Sequence, residues 1–185
     1  MAWLDNNTLA VLKRFSLPDP FPEATIQVYD VTSLVATDGS EDDVVLSPET
    51  IVSSSSGLAS LESNPNDPNL ILYGCGDVAD ICMYNRETDT QTPLLTPDAY
   101  LVLVARFMAD SENIIFEADV EETGEDDRST HVIGIYNLET EETTLIGQGL
   151  NPVPSTTDAD LAVYETYTDD DVIQIGVLNI SYYGF

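Results

Sequence analysis

The sequence predicts an all-β protein, and three observations carry that prediction. A two-strand phrase recurs four times, its second strand alternates large apolar residues with others, and every copy of that strand closes on Asp or Asn. These signature strands start at Ile26, Ile81, Ile133 and Ile175, which gives spacings of 55, 52 and 42 residues. A period in this range, built from short strands, is typical of propeller blades. We therefore predict a β-propeller segment of about four blades, with four antiparallel strands per blade and an incomplete last blade.

The signature strand is the third strand of each predicted blade. Its side chains alternate between the two faces of a sheet, as a half-buried strand requires. Asp or Asn ends it because a short polar side chain bonds the backbone of the following turn. We expect the first and fourth residues of each copy to be core residues rather than a ligand cage. These residues are Ile26, Tyr29, Ile81, Tyr84, Ile133, Tyr136, Ile175 and Leu178.

The other strands of each blade follow from the residues around the signature strand. Second strands begin at a polar turn residue and continue with apolar, β-branched or aromatic residues, at 8–12, 69–73, 113–117 and 160–164. Short first strands precede those turns at 1–4, 58–62, 101–107 and 152–155. Fourth strands reach 94 and 146 after matching Thr-rich turns, and in the first blade we expect one at 44–46. No helix is expected, because no stretch shows capped 3.6-residue periodicity.

These assignments divide a single domain into blades at about 1–49, 50–98, 99–148 and 149–185. The serine run from Ser53 to Ser56 is interpreted as a flexible connection between blades. No fourth strand is visible after Asn179. We expect a piece of a longer propeller, whose missing blades would cover the unpaired edges of this segment.

Acidic residues dominate the charge of the chain. Asp and Glu total 34 of the 185 residues against 5 Lys and Arg, a formal net charge of -29. Nucleic-acid binding needs Lys and Arg to displace counterions from phosphates, so we expect no nucleic-acid partner. No apolar run approaches the ~20 residues of a spanning helix, so we expect no membrane insertion. The acidity favours solubility, and a saline habitat or a cationic partner are the alternatives.

Cys75 and Cys82 lie at the turn between the second and third strands of the second blade. If the turn is centred on Val78 and Ala79, Cys75 lies directly opposite Cys82, within reach of a disulfide. Two buried free thiols are the equal alternative. A disulfide would favour an extracytoplasmic location, periplasmic or secreted, although no signal peptide is visible at Met1. The location therefore stays open.

Few residues are candidates for catalysis or metal binding. His131 is the only histidine and lies just before a signature strand, where we expect a surface or strand-edge role. A Ser-His-acid set would need an activated serine, and no Gly-x-Ser-x-Gly elbow occurs. We predict no catalytic residue, no metal and no cofactor in this chain. The acidic clusters at 121–127 and 169–171 are interpreted as solvated loops, with Ca²⁺ binding as the alternative.

The repeated phrase resembles the TolB-like propeller repeat, a WD-repeat-like family. In that family the turn between the first two strands usually reads Trp-Ser-Pro-Asp-Gly. Here Trp3 and Asp5 keep the Trp and the acidic residue, while Phe107 and Asp110 keep an aromatic and the Asp. No copy keeps Pro-Asp-Gly, although the resemblance covers essentially the whole chain.

The resemblance implies interaction or gating, with any chemistry located elsewhere. Our main hypothesis is a non-catalytic scaffold that presents an acidic face or channel rim to a protein or peptide partner. One alternative is the propeller cap of a prolyl-oligopeptidase-type serine peptidase, whose hydrolase domain lies outside this chain. A second alternative is a stand-alone surface module that contacts carbohydrate.

Overall fold

The computed structural model describes residues 1–14, 24–32, 46–54, 58–75, 80–94, 100–121, 129–167 and 173–183. Within these ranges, fifteen strands form four antiparallel sheets. The first sheet contains β1 (Ala2–Trp3), β2 (Thr8–Arg14), β3 (Ala24–Asp30) and β4 (Glu49–Ser54). The second contains β5 (Leu58–Ser63), β6 (Leu70–Cys75), β7 (Asp80–Asn85) and β8 (Thr90–Leu94).

The third sheet contains β9 (Tyr100–Phe107), β10 (Asn113–Glu121), β11 (Ser129–Asn137) and β12 (Thr143–Gln148). The fourth contains only β13 (Leu150–Pro154), β14 (Leu161–Tyr167) and β15 (Ile173–Asn179) in the described residues. Strands pair in chain order within every sheet. This arrangement confirms the predicted fold class: four consecutive propeller blades, of which the last is incomplete.

The Asp or Asn that closes each signature strand organises the following turn. The Asn85 Oδ1 accepts hydrogen bonds from the backbone N–H groups of Glu87 at 2.9 Å and Thr88 at 3.2 Å. Equivalent side-chain bonds are made by Asp30, Asn137 and Asn179. The prediction that these residues bond the turn backbone is therefore confirmed in all four blades.

One apolar cluster fills the space between each pair of successive blades. Between the first and second blades it includes Ile26, Val28, Ile71 and Tyr73. The second and third blades enclose a cluster built around Leu72, Ile81, Phe107, Ile114 and Phe116. The third and fourth blades enclose Met108, Ile115, Ile133, Ile135, Ala162, Leu178 and Ile180. Because each fully buried aliphatic side chain contributes about 1.5–3 kcal/mol, these clusters hold the blades together.

The fourth strand of the first blade lies later in the chain than predicted. The structure places β4 at Glu49–Ser54, whereas the expected strand was 44–46. This sheet therefore crosses the expected blade boundary at 49, and Ser53 and Ser54 belong to a strand rather than to a flexible connection. The β-branched residues Ile51 and Val52 explain the difference, since Val52 packs into the first cluster.

One short 3₁₀ helix, Ile180–Tyr183, follows β15, although no helix was expected. Ile180 is buried in the cluster between the third and fourth blades, so one apolar side chain fixes this turn. No helix in the described part of the chain has both the length and the apolar character needed to cross a membrane.

Candidate interaction face on the fourth blade

Strand pairing defines which residues are equivalent in successive blades. The first residue of the second strand lies opposite the closing residue of the signature strand, as in Leu70 with Asn85 and Asn113 with Asn137. The fourth blade repeats this pairing with Leu161 and Asn179. Val163, Ile175 and Val177 are therefore the counterparts of Ile115, Ile133 and Ile135 in the third blade.

These counterparts differ sharply in exposure. In the third blade, Ile133 and Ile135 are 2% and 0% exposed, because Ala162 and Leu178 of the fourth blade pack against them. In the fourth blade, Ile175 and Val177 are 68% and 71% exposed. The exposure differs because the fourth blade covers the third, whereas no described blade covers the fourth. The two strands themselves have the same alternation of apolar residues.

The same face is covered in the first two blades as well. Ile26 and Val28 pack against the second blade, and Leu72 and Ile81 pack against the third. Each blade therefore buries this face under the blade that follows it. On the fourth blade this face carries the exposed residues Val153, Val163, Ile173, Ile175 and Val177, with Glu165 opposite Ile175 on the same side, and is called the blade-4 end face.

The burial of the predicted core residues depends on the blade in which they lie. Ile26, Ile81, Tyr84, Ile133, Tyr136 and Leu178 are buried. The prediction for Ile175 is wrong: its side chain points to the blade-4 end face, where no following blade covers it in the described structure. Tyr29 is half-buried because it lies on the outer face of the first blade.

The opposite end of the segment presents the complementary kind of face. Trp3, Leu9, Val11, Gln27 and Tyr29 share the outer face of the first blade, here called the blade-1 end face. Their counterparts in the second blade include Ile71, Tyr73, Cys82 and Tyr84, all buried against the blade before. Trp3 is 59% exposed, and the others are half-buried. The Tyr29 hydroxyl donates to the Gln27 Oε1 at 2.9 Å, so these polar atoms are partnered within the face.

A glycine opposite an aromatic residue recurs in the last two blades. Gly134 lies opposite Phe116, and a Cβ at Gly134 would lie 2.7 Å from the Phe116 Cε2 atom. Gly176 lies opposite Tyr164, and a Cβ there would lie 2.6 Å from the Tyr164 Cε1 atom. The absence of a side chain leaves room for the outer atoms of the ring to approach the backbone of the neighbouring strand. Sequence reasoning missed this pairing, although the Ile-Gly-Ile and Ile-Gly-Val phrases carry it.

A cavity of about 440 Å³ opens beside β15, between the third and fourth blades. Its lining includes Ile133, Ile146, Gln148, Tyr164, Leu178 and Tyr182. No fourth strand pairs with β15 in the described residues. The cavity therefore borders a strand, β15, whose outer edge is not paired in the described residues.

Cys75 and Cys82 are joined by a disulfide, with a Cα–Cα separation of 5.8 Å. They do not lie directly opposite each other, because Cys75 pairs with Asp80 and Cys82 pairs with Tyr73. The expected hairpin register is thus wrong by two residues. The physical reason is that Asn85 and Leu70 set the register at the other end of the hairpin, as in every blade. The expected turn centre, 78–79, lies outside the described residues.

His131 lies inside β11 rather than before it. Its Nδ1 atom lies 2.9 Å from the Glu117 Oε1, and the Glu117 Oε2 accepts the backbone N–H of Asn151 at 2.8 Å. Glu117 is buried and belongs to β10, whereas Asn151 belongs to β13. The carboxylate therefore fastens the fourth blade to the third, which gives His131 a structural partner.

The described residues contain no group of three or more His, Cys, Asp or Glu side chains placed to hold a metal ion. The acidic loops 122–127 and 169–171 lie outside the described residues, and Ca²⁺ binding there stays a prediction. Ser55 and Ser56 also lie outside them.

Comparison with known proteins supports the fold and leaves the family open. No family model matches the chain, and no curated protein sequence matches it. Among solved structures, it is similar to an oligogalacturonate lyase from Vibrio parahaemolyticus, with a TM-score of 0.67 and 12% identity over 95% of this chain and 49% of that one.

Two hydrolases show the same likeness. A Pyrococcus horikoshii acylaminoacyl peptidase has a TM-score of 0.63 and 13% identity, covering 96% of this chain and 30% of that one. A puromycin hydrolase has a TM-score of 0.64 and 14% identity, covering 95% and 26%. The chain spans about half the length of the lyase and less of the hydrolases. At these identities the likeness shows the fold alone.

Proposed function

We propose that this chain is a non-catalytic, TolB-like propeller scaffold whose blade-4 end face binds a β-sheet of a protein partner. One observation carries the proposal: Ile175 and Val177 are mostly exposed, whereas their counterparts Ile133 and Ile135 are covered by a neighbouring sheet. Monomeric proteins rarely leave a contiguous aliphatic face in water, so such a face marks an interaction site.

The chemistry of the face and the charge of the chain describe the partner. Five exposed members of the blade-4 end face are aliphatic, so the partner contacts them with apolar side chains, and Glu165 adds one carboxylate to the face. The net charge of -29 repels an acidic partner and attracts a basic one at long range. We therefore propose a partner with an apolar sheet face and a basic surround.

Photocrosslinking at the face tests this proposal. A photoreactive residue at position 175, introduced in the organism that encodes the chain, is expected to trap one main protein. Leu145 supplies a matched control position, because it is 45% exposed but lies on β12 outside the face. The trapped protein, once identified and purified, is expected to bind the native chain and to bind the Val177→Asp variant at least tenfold more weakly. Equal trapping at 145 and 175 would contradict the proposal.

The second candidate is the propeller cap of a prolyl-oligopeptidase-type peptidase. The likeness to the acylaminoacyl peptidase and the puromycin hydrolase favours it, because those enzymes contain this fold within longer chains. In that case the sheet that covers Ile175 belongs to further blades of one polypeptide. A Gly-x-Ser-x-Gly sequence with later Asp and His residues in the adjoining coding region would support it. A coding region without these residues would exclude it.

A further inference from the structure

We infer that Glu165 selects the protein partner of the blade-4 end face, by accepting a hydrogen bond from a Lys or Arg side chain of the covering sheet. This inference rests on the proposed function and deepens it, because it names one charged contact within an otherwise aliphatic surface. Its basis is the position of Glu165 in its blade, its hydrogen bonds, and the contact that the equivalent residue makes one blade earlier.

Glu165 lies among the aliphatic residues of the blade-4 end face. It belongs to β14 and lies directly opposite Ile175 of β15. Directly opposed residues of an antiparallel pair place their side chains on the same side of the sheet. The opposed pair Val163 and Val177 lies two positions along the strands on that same side. A sheet that covers the aliphatic residues therefore also covers the Glu165 carboxylate.

Glu117 is the counterpart of Glu165 in the third blade. Glu117 pairs with Ile133 in the same register as Glu165 pairs with Ile175. Glu117 is buried beneath the fourth blade, and its Oε2 accepts the backbone N–H of Asn151 in that blade at 2.8 Å. A carboxylate at this position therefore already bonds the sheet that covers it once in this chain.

The two carboxylates differ in the donors that their own blades supply. The His131 Nδ1 lies 2.9 Å from the Glu117 Oε1, so both oxygens of Glu117 have a partner. Ile173 occupies the position of His131 in the fourth blade and offers no side-chain donor. Within the described ranges, Glu165 accepts one hydrogen bond, from the Asn151 Nδ2 to Oε2 at 3.2 Å, and joins no ion pair. Its Oε1 is therefore open to a donor from the partner.

A wholly apolar covering sheet would remove the water around an unpaired carboxylate. Burying a charge is strongly unfavourable unless the charge is paired and hydrogen-bonded. The first two blades avoid this cost, because Leu12 and Gly74 occupy the position of Glu165. The partner must therefore bring its own donor to Glu165. A Lys or Arg side chain matches the negative charge of Glu165 and the basic surround proposed for the partner.

The protein trapped by the photoreactive residue at position 175 supplies the probe, because Ile175 lies directly opposite Glu165. Mass spectrometry of the crosslinked peptide is expected to locate a strand of the trapped protein that carries Lys or Arg. Glu165→Gln is expected to weaken binding of that purified protein by about tenfold or more, because a buried cation then loses its partner. Glu165→Leu copies Leu12 of the first blade and is expected to weaken binding at least as much.

Glu139→Gln is the matched control for the loss of one negative charge. Glu139 is exposed in a turn of the third blade, so its replacement is expected to leave the dissociation constant nearly unchanged. Circular dichroism checks that all variants stay folded. Native-like binding by Glu165→Gln, or tighter binding by Glu165→Leu, would overturn the inference. Tighter binding by the Leu variant would mean that an unpaired carboxylate had opposed the contact.

Exchanging the two charges identifies the pair and separates this inference from the proposed function. Glu165→Lys is expected to abolish binding, and replacing the basic residue of the trapped protein with Glu is expected to restore it. Failure of this exchange at every Lys and Arg of the crosslinked strand would overturn the inference. If Val177→Asp weakens binding whereas Glu165→Gln does not, the proposed function stands and the charged contact falls. If trapping at positions 145 and 175 is equal, both fall.

Discussion

Gly134 and Gly176 occupy the same position in successive blades, and each has an aromatic ring opposite it. At the residue scale this pairing explains a sequence feature that alternation alone does not predict. A strand needs no glycine for its hydrogen bonds, and glycine weakens strands in general. The ring of Phe116 replaces the missing side chain and fills the space between blades.

Gly134→Ala is therefore expected to destabilise the protein by about 1–3 kcal/mol, because the added Cβ overlaps the Phe116 ring. Urea unfolding measures the effect. The Gly134→Ala and Phe116→Leu double variant supplies the control, since the smaller side chain relieves the overlap. The two changes together should cost less than the sum of the single changes. Strict additivity would contradict the contact.

Two buried tyrosines predict how stability changes at alkaline pH. Burial raises the pKa of Tyr84 to about 12, and its hydroxyl also donates to the Asp89 Oδ1 at 2.7 Å. Burial likewise raises the pKa of Tyr73, whose hydroxyl is buried without a hydrogen-bond partner in the described structure. A phenol with a raised folded-state pKa contributes stability that is fully present below its unfolded pKa of 10.0.

The free energy of unfolding should accordingly show no loss from these phenols up to about pH 10 and then fall as the pH rises toward 12. Tyr73→Phe removes an unpartnered hydroxyl, so it should leave stability at pH 7 unchanged or raise it by about 1 kcal/mol. It should also reduce the alkaline loss. Tyr84→Phe is the contrasting variant and should cost about 1 kcal/mol at pH 7. A Tyr73→Phe protein that is clearly less stable than the native protein would refute this account.

At the element scale, the β6–β7 hairpin combines a strand register and a covalent link. Cys82 is buried in the first cluster and Cys75 packs against it, so the disulfide lies on the face toward the first blade. The link spans seven positions in sequence. Closing so short a loop restricts the unfolded chain less than a long loop would.

Reduction of this disulfide is expected to lower the free energy of unfolding by about 2 kcal/mol. Unfolding with and without reductant measures the difference, and the Cys75→Ser and Cys82→Ser double variant should match the reduced protein. Thiol titration of the denatured, unreduced protein should find no free thiol. Two free thiols in that titration would restore the alternative of unlinked cysteines.

Strands that local sequence patterns specify could be predicted, whereas features that depend on contacts between blades could not. Alternation and closing Asp or Asn residues are local, so they locate β3, β7, β11 and β15. The place of β4 depends on Val52 reaching a cluster formed with the second blade, which no local pattern shows. Ile175 is exposed because no described sheet covers it. Its strand has the same alternation of residues as the strand of Ile133, so the sequence pattern does not distinguish the two. The hairpin register at Cys75 follows the Leu70–Asn85 pair at the far end of the hairpin, so a register centred on the turn gives Cys75 the wrong partner.

At the scale of the whole molecule, unbalanced charge sets the response to salt. Among the described residues, Arg106 forms an ion pair with Glu62 at 3.1 Å, and the His131 Nδ1 lies 2.9 Å from the Glu117 Oε1. Burial raises the pKa of Glu62, while Arg106 opposes that shift. With 34 acidic residues against 5 basic ones, a formal charge of -29 remains, so the folded chain repels itself.

The thermal unfolding midpoint should therefore rise with NaCl, because salt screens repulsion that the compact state concentrates. Differential scanning calorimetry at low protein concentration measures this rise separately from association. An uncharged osmolyte at matched osmolality is the control, because solutes that are excluded from the protein surface also stabilise the folded state. A midpoint that falls with NaCl would mean that attractive pairs outweigh the repulsion.

Each blade contacts only its immediate neighbours, and this determines the order in which the blades unfold. The contacts between sheets join the first blade to the second, the second to the third and the third to the fourth. The stability of such a stack is approximately a sum of blade terms and interface terms between neighbouring blades. An outer blade has one such interface, whereas an inner blade has two. Local fluctuations will thus begin at the two extremities and travel inward, leaving the middle pair as the last ordered remnant. Whatever caps either extremity will act on the entire array, because it removes the place where melting starts.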